Sequence, residues 1–154
     1  MRSTFLFAIL STLLGTTWIR ADTSKPNLSG TWKLDPVKSV LDRTGKDLTL
    51  LIEETGQNVH IKEIRGPDTK DDVSEFTCDT IGKECSMQDG GDKAKVAVYY
   101  NGPVLVVLKT HGHRGDSVEK RRLSLAPAGD SLIVDIIHIE PEGKAEKLVF
   151  SKTQ

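Results

Sequence analysis

Lys93-Ala94-Lys95-Val96-Ala97-Val98-Tyr99-Tyr100 runs through Asn101-Gly102-Pro103 into Val104-Leu105-Val106-Val107-Leu108. The first run alternates. Ala94, Val96, Val98 and Tyr100 share one face, and Lys93, Lys95, Ala97 and Tyr99 share the other. Period two with one wet face marks a strand of an antiparallel sheet. The turn residues stop that strand, and the next begins at once with β-branched residues that suit a pleated surface. Val104–Leu108 is apolar on both faces, as is Leu132–Ile139, so something covers part of their outside or they lie at a contact.

Outward from this hairpin the same grammar repeats. Short stretches rich in Val, Ile, Leu and Thr alternate with turn signals at about 8–12 residue intervals. They predict strands near Leu28–Leu34, Asp47–Glu54, Asn58–Ile64, Val73–Asp79, Lys83–Gln88, Lys93–Tyr100, Val104–Thr110, Val118–Leu125, Ser131–Ile139 and Ala145–Lys152. Only Pro36 to Leu41 has room for a helical turn. Sequential strands joined by tight turns predict an all-β chain: a single antiparallel up-and-down (meander) β-barrel of eight to ten strands. Closing the sheet removes exposed edges, and about eight strands leave room for one small ligand.

The amino terminus reads differently. Met1-Arg2 is a short basic start, Phe5 to Leu14 an apolar core, and Trp18-Ile19-Arg20-Ala21 ends on a small residue, the three parts of a secretory signal peptide. The apolar core falls well short of the ~20 residues that cross a bilayer, so no membrane span is expected. Cleavage near Ala21 leaves residues 22–154 as one domain, secreted or periplasmic. Losing Arg2 and Arg20 leaves 19 basic against 22 acidic residues, a net charge of −3. Bases are scattered among acids, with no basic patch to hold nucleic acid or an anionic membrane. Cys78 and Cys85 lie close in sequence in an exported chain and read as a disulfide; if Ile81-Gly82 is a two-residue turn, Phe76 also faces Met87.

Ser29-Gly30-Thr31-Trp32-Lys33-Leu34-Asp35-Pro36-Val37-Lys38-Ser39 resembles the opening of a family of secreted bacterial lipocalin-like proteins, most without an assigned activity. Gly82-Lys83-Glu84-Cys85 is similar to that family's middle hairpin. The resemblance spans nearly the whole mature chain and implies a calycin-type barrel, the group of lipocalins, fatty-acid-binding proteins, avidins and small periplasmic metalloprotease inhibitors. Gly30 and Trp32 match the first lipocalin motif. It implies that Trp32 plugs the closed end beside a basic side chain of the last strand, for which Lys152 is the candidate. Residues 35–46 are too few for the paired portal helices of fatty-acid-binding proteins. The last strand also lacks their Arg-x-Tyr pair, leaving Arg121 and Arg122 as substitutes and Glu119 as a candidate partner for Arg121.

Most other motifs point to no chemistry. His111-Gly112-His113 offers two imidazoles without a third ligand, so no metal site is expected. Arg114-Gly115-Asp116 is a short turn-like match to an adhesion tripeptide. No nucleophile–base pair, carboxylate pair or phosphate loop stands out, so neither enzyme activity nor a cofactor is expected. Two functions stay open. One is a binder of a small hydrophobic ligand in a space lined by Val96, Val98, Tyr100, Val106, Leu108, Leu123 and Leu125, with Tyr100, Arg121 and His138 as polar anchors. The other is a protein-binding, inhibitor-like module with a filled barrel that works through the tail Asp22–Asn27.

Overall fold

The computed structural model describes residues 25–66, 73–111 and 117–153. The leader, Gly112, His113 and the Arg114-Gly115-Asp116 tripeptide lie outside them. Ten strands follow in chain order: β1 Gly30–Leu34, β2 Leu48–Thr55, β3 Asn58–Arg65, β4 Val73–Asp79, β5 Ile81–Asp89, β6 Asp92–Asn101, β7 Val104–His111, β8 Val118–Leu125, β9 Ser131–Glu140 and β10 Glu146–Thr153. Each pairs antiparallel with its neighbours in sequence, and β1 also pairs with β10, so the sheet closes into a barrel. The expected architecture is thus met at the upper end of its strand count. The described residues contain no helix, and Pro36–Leu41 forms turns and an isolated bridge.

Register decides what faces inward. Asn101 pairs with Val104, so Val98 stands opposite Val107 and Tyr100 opposite Leu105. Leu105, Val107 and Lys109 therefore face the interior with Val96 and Val98. This corrects the expectation for Val106 and Leu108, which lie on the outer face. A two-residue loop joins an even-numbered inward set to an odd-numbered one, and a run apolar on both faces gives alternation nothing to report. Val106 is buried outside the barrel, between Tyr99 and Arg122 on the flanking strands.

Cys78 and Cys85 are bonded, and Phe76 pairs with Met87. The turn between them differs from the expected one. Ile81 and Gly82 belong to β5, with Ile81 opposite Tyr99, and the chain reverses at Thr80.

One end of the barrel is plugged. Trp32 is buried, its indole N–H donates to the Leu28 carbonyl at 2.9 Å, and the Lys152 ammonium lies 5.2 Å from its ring centre. Gly30 makes this stacking geometrically allowed. Its φ of +148° suits glycine, and a Cβ there would stand 2.7 Å from Lys152 Cε. Thus the Gly30–Trp32–Lys152 grouping is one packing unit.

The segment before β1 seals the same end. Leu28 is wholly buried, and its N–H donates to Glu54 at 2.8 Å. Lys25 pairs with Glu54 and lies over the Tyr100 ring, while the Tyr100 hydroxyl donates to Glu54. Lys25 of the expected inhibitory tail, and Leu28 just beyond that tail, are therefore part of the plug. Above it, Ile52, Val59, Val96, Val98, Leu105, Leu123, Leu132 and Phe150 fill the lower half of the interior.

Candidate functional site

The upper half is not filled. Here the inward positions of several strands turn polar: Glu63 and Arg65 follow Ile61 on β3, Ser74 precedes Phe76 on β4, and Asp89 follows Met87 on β5. Lys109 follows Val107 on β7, Glu119 and Arg121 precede Leu123 on β8, His138 follows Ile136 on β9, and Glu146 opens β10. A cavity of about 240 Å³ lies among them. Leu48, Leu50, Val134, Ile136, Leu148 and Phe150 form its apolar wall; Arg43, Thr44, Gly45 and Ser117 stand at its mouth.

The polar wall is one connected network. Arg121 reaches across the lumen to Glu63 and beside itself to Glu119. Because β8 and β3 are five strands apart in either direction around the ring, the Arg121–Glu63 pair spans a full diameter. Glu63 also pairs with Arg65, which donates to Ser74 at 3.2 Å, and Ser74 donates to Asp89. Lys109 closes on Asp89 at 2.6 Å. On the other side, His138 lies 3.5 Å from Glu119 through Nδ1 and 3.2 Å from Glu146 through Nε2.

Burial alone would push the Glu63 carboxyl up, but Arg121, Arg65 and then Lys109 outweigh it and hold it below the ordinary range. Burial likewise pulls the Arg121 guanidinium down, and Glu63 and Glu119 more than restore it. Among the described residues, no buried side-chain polar atom lacks a partner.

Glu146 ties the network to the segment that crosses over the mouth. One carboxylate oxygen accepts the backbone N–H groups of Asp42 and Thr44, both at 3.0 Å, and the other faces His138. Val40 exchanges backbone hydrogen bonds with Lys147 just beside it. The Arg43 guanidinium lies close over Gly143, 2.9 Å from where a Cβ would stand.

Burial raises the Glu146 carboxyl, yet the two backbone donors, the Thr44 side chain and His138 bring it down to about 2. A carboxyl depressed in the folded state stabilises the fold above its unfolded pKa of about 4.5. That contribution disappears as pH falls through about 2. Glu146→Gln should therefore be less stable than the parent at pH 6, with a gap that shrinks by about 2–3 kcal/mol on acidification to pH 2. Urea midpoints of both proteins across that range measure it; a gap independent of pH would mean that Glu146 holds the strap by shape alone.

Of the residues expected to line a binding site, Arg121 and His138 border the cavity. Val96, Val98 and Leu123 face inward but belong to the packed half, and Leu125 packs against that core. Tyr100 is spent on Glu54 at the plugged end, where burial and that carboxylate push its phenol up. Arg121 is no free anchor, being paired on two sides. The missed residues had a usable signal. Glu63 and Glu146 continue the inward parity of Ile61 and Leu148, so charges were waiting on core-facing positions; Lys109 follows Val107 inward only through the register of β6 with β7.

No protein-family model and no curated protein sequence matches this chain. Among solved structures, a secretory abundant heat soluble protein from Ramazzottius varieornatus matches with a TM-score of 0.65 at 16% identity, over 82% of this chain and 95% of that one. Lipid binding protein 8 of Caenorhabditis elegans gives 0.61 at 12%, over 81% and 94%. A protein described as the REP1-NXSQ fatty acid transporter gives 0.60 at 14%, over 82% and 96%. At such identities the likeness concerns fold: the described chain is a closed ten-stranded antiparallel β-barrel similar to these proteins, plugged at one end and hollow at the other.

Proposed function

We propose that this protein binds a small, compact molecule in the open half of its barrel. The ligand's apolar part lies against the Leu48, Ile136 and Leu148 wall, and its polar end meets the charged wall. The observation that carries this reading is the cavity of about 240 Å³, bounded below by a finished apolar core. Drug-sized sites usually measure ~300–1,000 Å³, so the ligand is a short one. The names of the lipid-binding and fatty-acid-transporting neighbours support the same broad class. Action outside the cytoplasm is part of the proposal, supported by the leader-like Met1–Ala21 segment and the disulfide.

Titration of the mature protein with 1-hexanol, followed by NMR of assigned methyl groups, tests it. Saturable shifts are expected at Leu50, Val134, Ile136 and Leu148, with one-to-one stoichiometry. Ile136→Phe, which adds bulk at the cavity wall, should abolish them while the rest of the spectrum stays dispersed. Shifts at the exposed Ile81, Ile137 and Ile139 instead would place binding on the outer surface and overturn the reading.

A further inference from the structure

Resting on that reading, the arrangement of charges in the lumen narrows the ligand class. Glu63, Glu119 and Glu146 line it and Glu140 joins them at the rim, with the cations Arg65, Lys109 and Arg121, and with His138 between Glu119 and Glu146; Asp89 stands behind Lys109 as its partner. Glu63 is only 4% exposed and lies between Arg121 and Arg65, arriving from the wall opposite Arg121. It occupies the place that an incoming carboxylate would otherwise take. The position is filled from within.

We propose that the lumen selects an uncharged ligand and rejects the carboxylate of the same skeleton, with Glu63 as the residue that determines this choice. Inside the lumen an anionic ligand has two routes, both unfavourable, because Arg43 stands outside at the mouth, half-exposed and beside Asp42. It can displace Glu63 from Arg121, which leaves a buried carboxylate with fewer partners and discards an existing charge-assisted pair. Alternatively it can enter without displacing anything, and then its own charge is desolvated among carboxylates whose cations are engaged. A hydroxyl asks for neither. It can share hydrogen bonds at the edge of the network while its alkyl part covers the wall formed by Leu48, Leu50, Val134, Ile136, Leu148 and Phe150.

The same geometry says what removing the internal charge does. Without the Glu63 carboxylate, Arg121 keeps Glu119 and Arg65 keeps Asp89. Neither cation is stranded, yet a negative charge has left the space between them. The lumen then gains one net positive charge close to where a ligand headgroup enters. Glu63→Gln preserves the shape of the side chain and is the conservative way to make this change.

The test compares 1-hexanol with hexanoate at pH 7, on the parent protein and on Glu63→Gln, reading shifts at the cavity methyls. For the parent, hexanoate should bind at least about tenfold more weakly than hexanol, as befits a desolvated charge without a free partner. In Glu63→Gln the hexanoate affinity should rise at least about tenfold. Hexanol affinity should stay within a factor of about three. Hexanoate binding to the parent as tightly as hexanol overturns the selectivity and leaves small-ligand binding standing; that comparison needs no variant to fold. A folded Glu63→Gln that gains nothing for hexanoate removes Glu63 from the role. If neither compound moves the cavity methyls, the small-ligand reading falls and takes this inference with it.

Discussion

Trp32→Ala should remove about 3–5 kcal/mol of folding stability, as truncation of a large buried aromatic does. The side chain is 1% exposed and is bounded by Leu28 and the aliphatic stem of Lys152, and its N–H holds the Leu28 carbonyl. Alanine leaves a void at the barrel floor. It also leaves that carbonyl without its donor and Lys152 without its ring, a cation–π loss of about 0.5–1 kcal/mol at an exposed site. Urea denaturation of both proteins measures the difference. A loss below about 1 kcal/mol would mean that the floor collapses around the gap and that Trp32 is not what closes it.

Arg121→Ala should cost a similar amount, about 3–5 kcal/mol, for a different reason. Nothing apolar of note is lost. Instead Glu63 and Glu119 remain inside the barrel without the cation that holds both. Replacing Arg121 and Glu63 together by methionine should cost less than Arg121→Ala, since one stranded charge goes with its partner. That ordering is the diagnostic outcome, read from urea midpoints at pH 7. If the double replacement is worse than the single, the cross-lumen pair is itself a net source of stability, and the stranded-charge account fails.

The strands were legible because turn residues punctuate this chain so regularly and because Lys93–Tyr100 alternates so cleanly. The same rule failed at Val104–Leu108, where both faces are apolar. There only the loop length carries the information, through the pairing of Asn101 with Val104. Trp32 and Lys152 were found because a motif and a strand parity agreed, and their contact follows from register. The site was harder to see. Parity places Glu63 and Glu146 on inward faces and register adds Lys109, but one strand at a time a charge near a strand end looks like a solvated terminus. What makes them a site is that β3 and β7 end, and β8 and β10 begin, at the same mouth, which only the closed topology provides. Tyr100 shows the converse: an inward polar residue near apolar neighbours that turned out to be at the opposite end, committed to Glu54.

Barrel closure has a consequence for how the molecule comes to exist. Nine of the ten strand pairings join neighbours in sequence, whereas β1 meets β10 across 122 positions, as between Thr31 and Thr153. Hairpins form locally at small entropic cost, but bringing the two ends together closes the longest loop in the chain. A folding chain therefore has hairpins to form and no closed interior to offer until its last strand has paired. The lumen is complete only once the first strand meets the last.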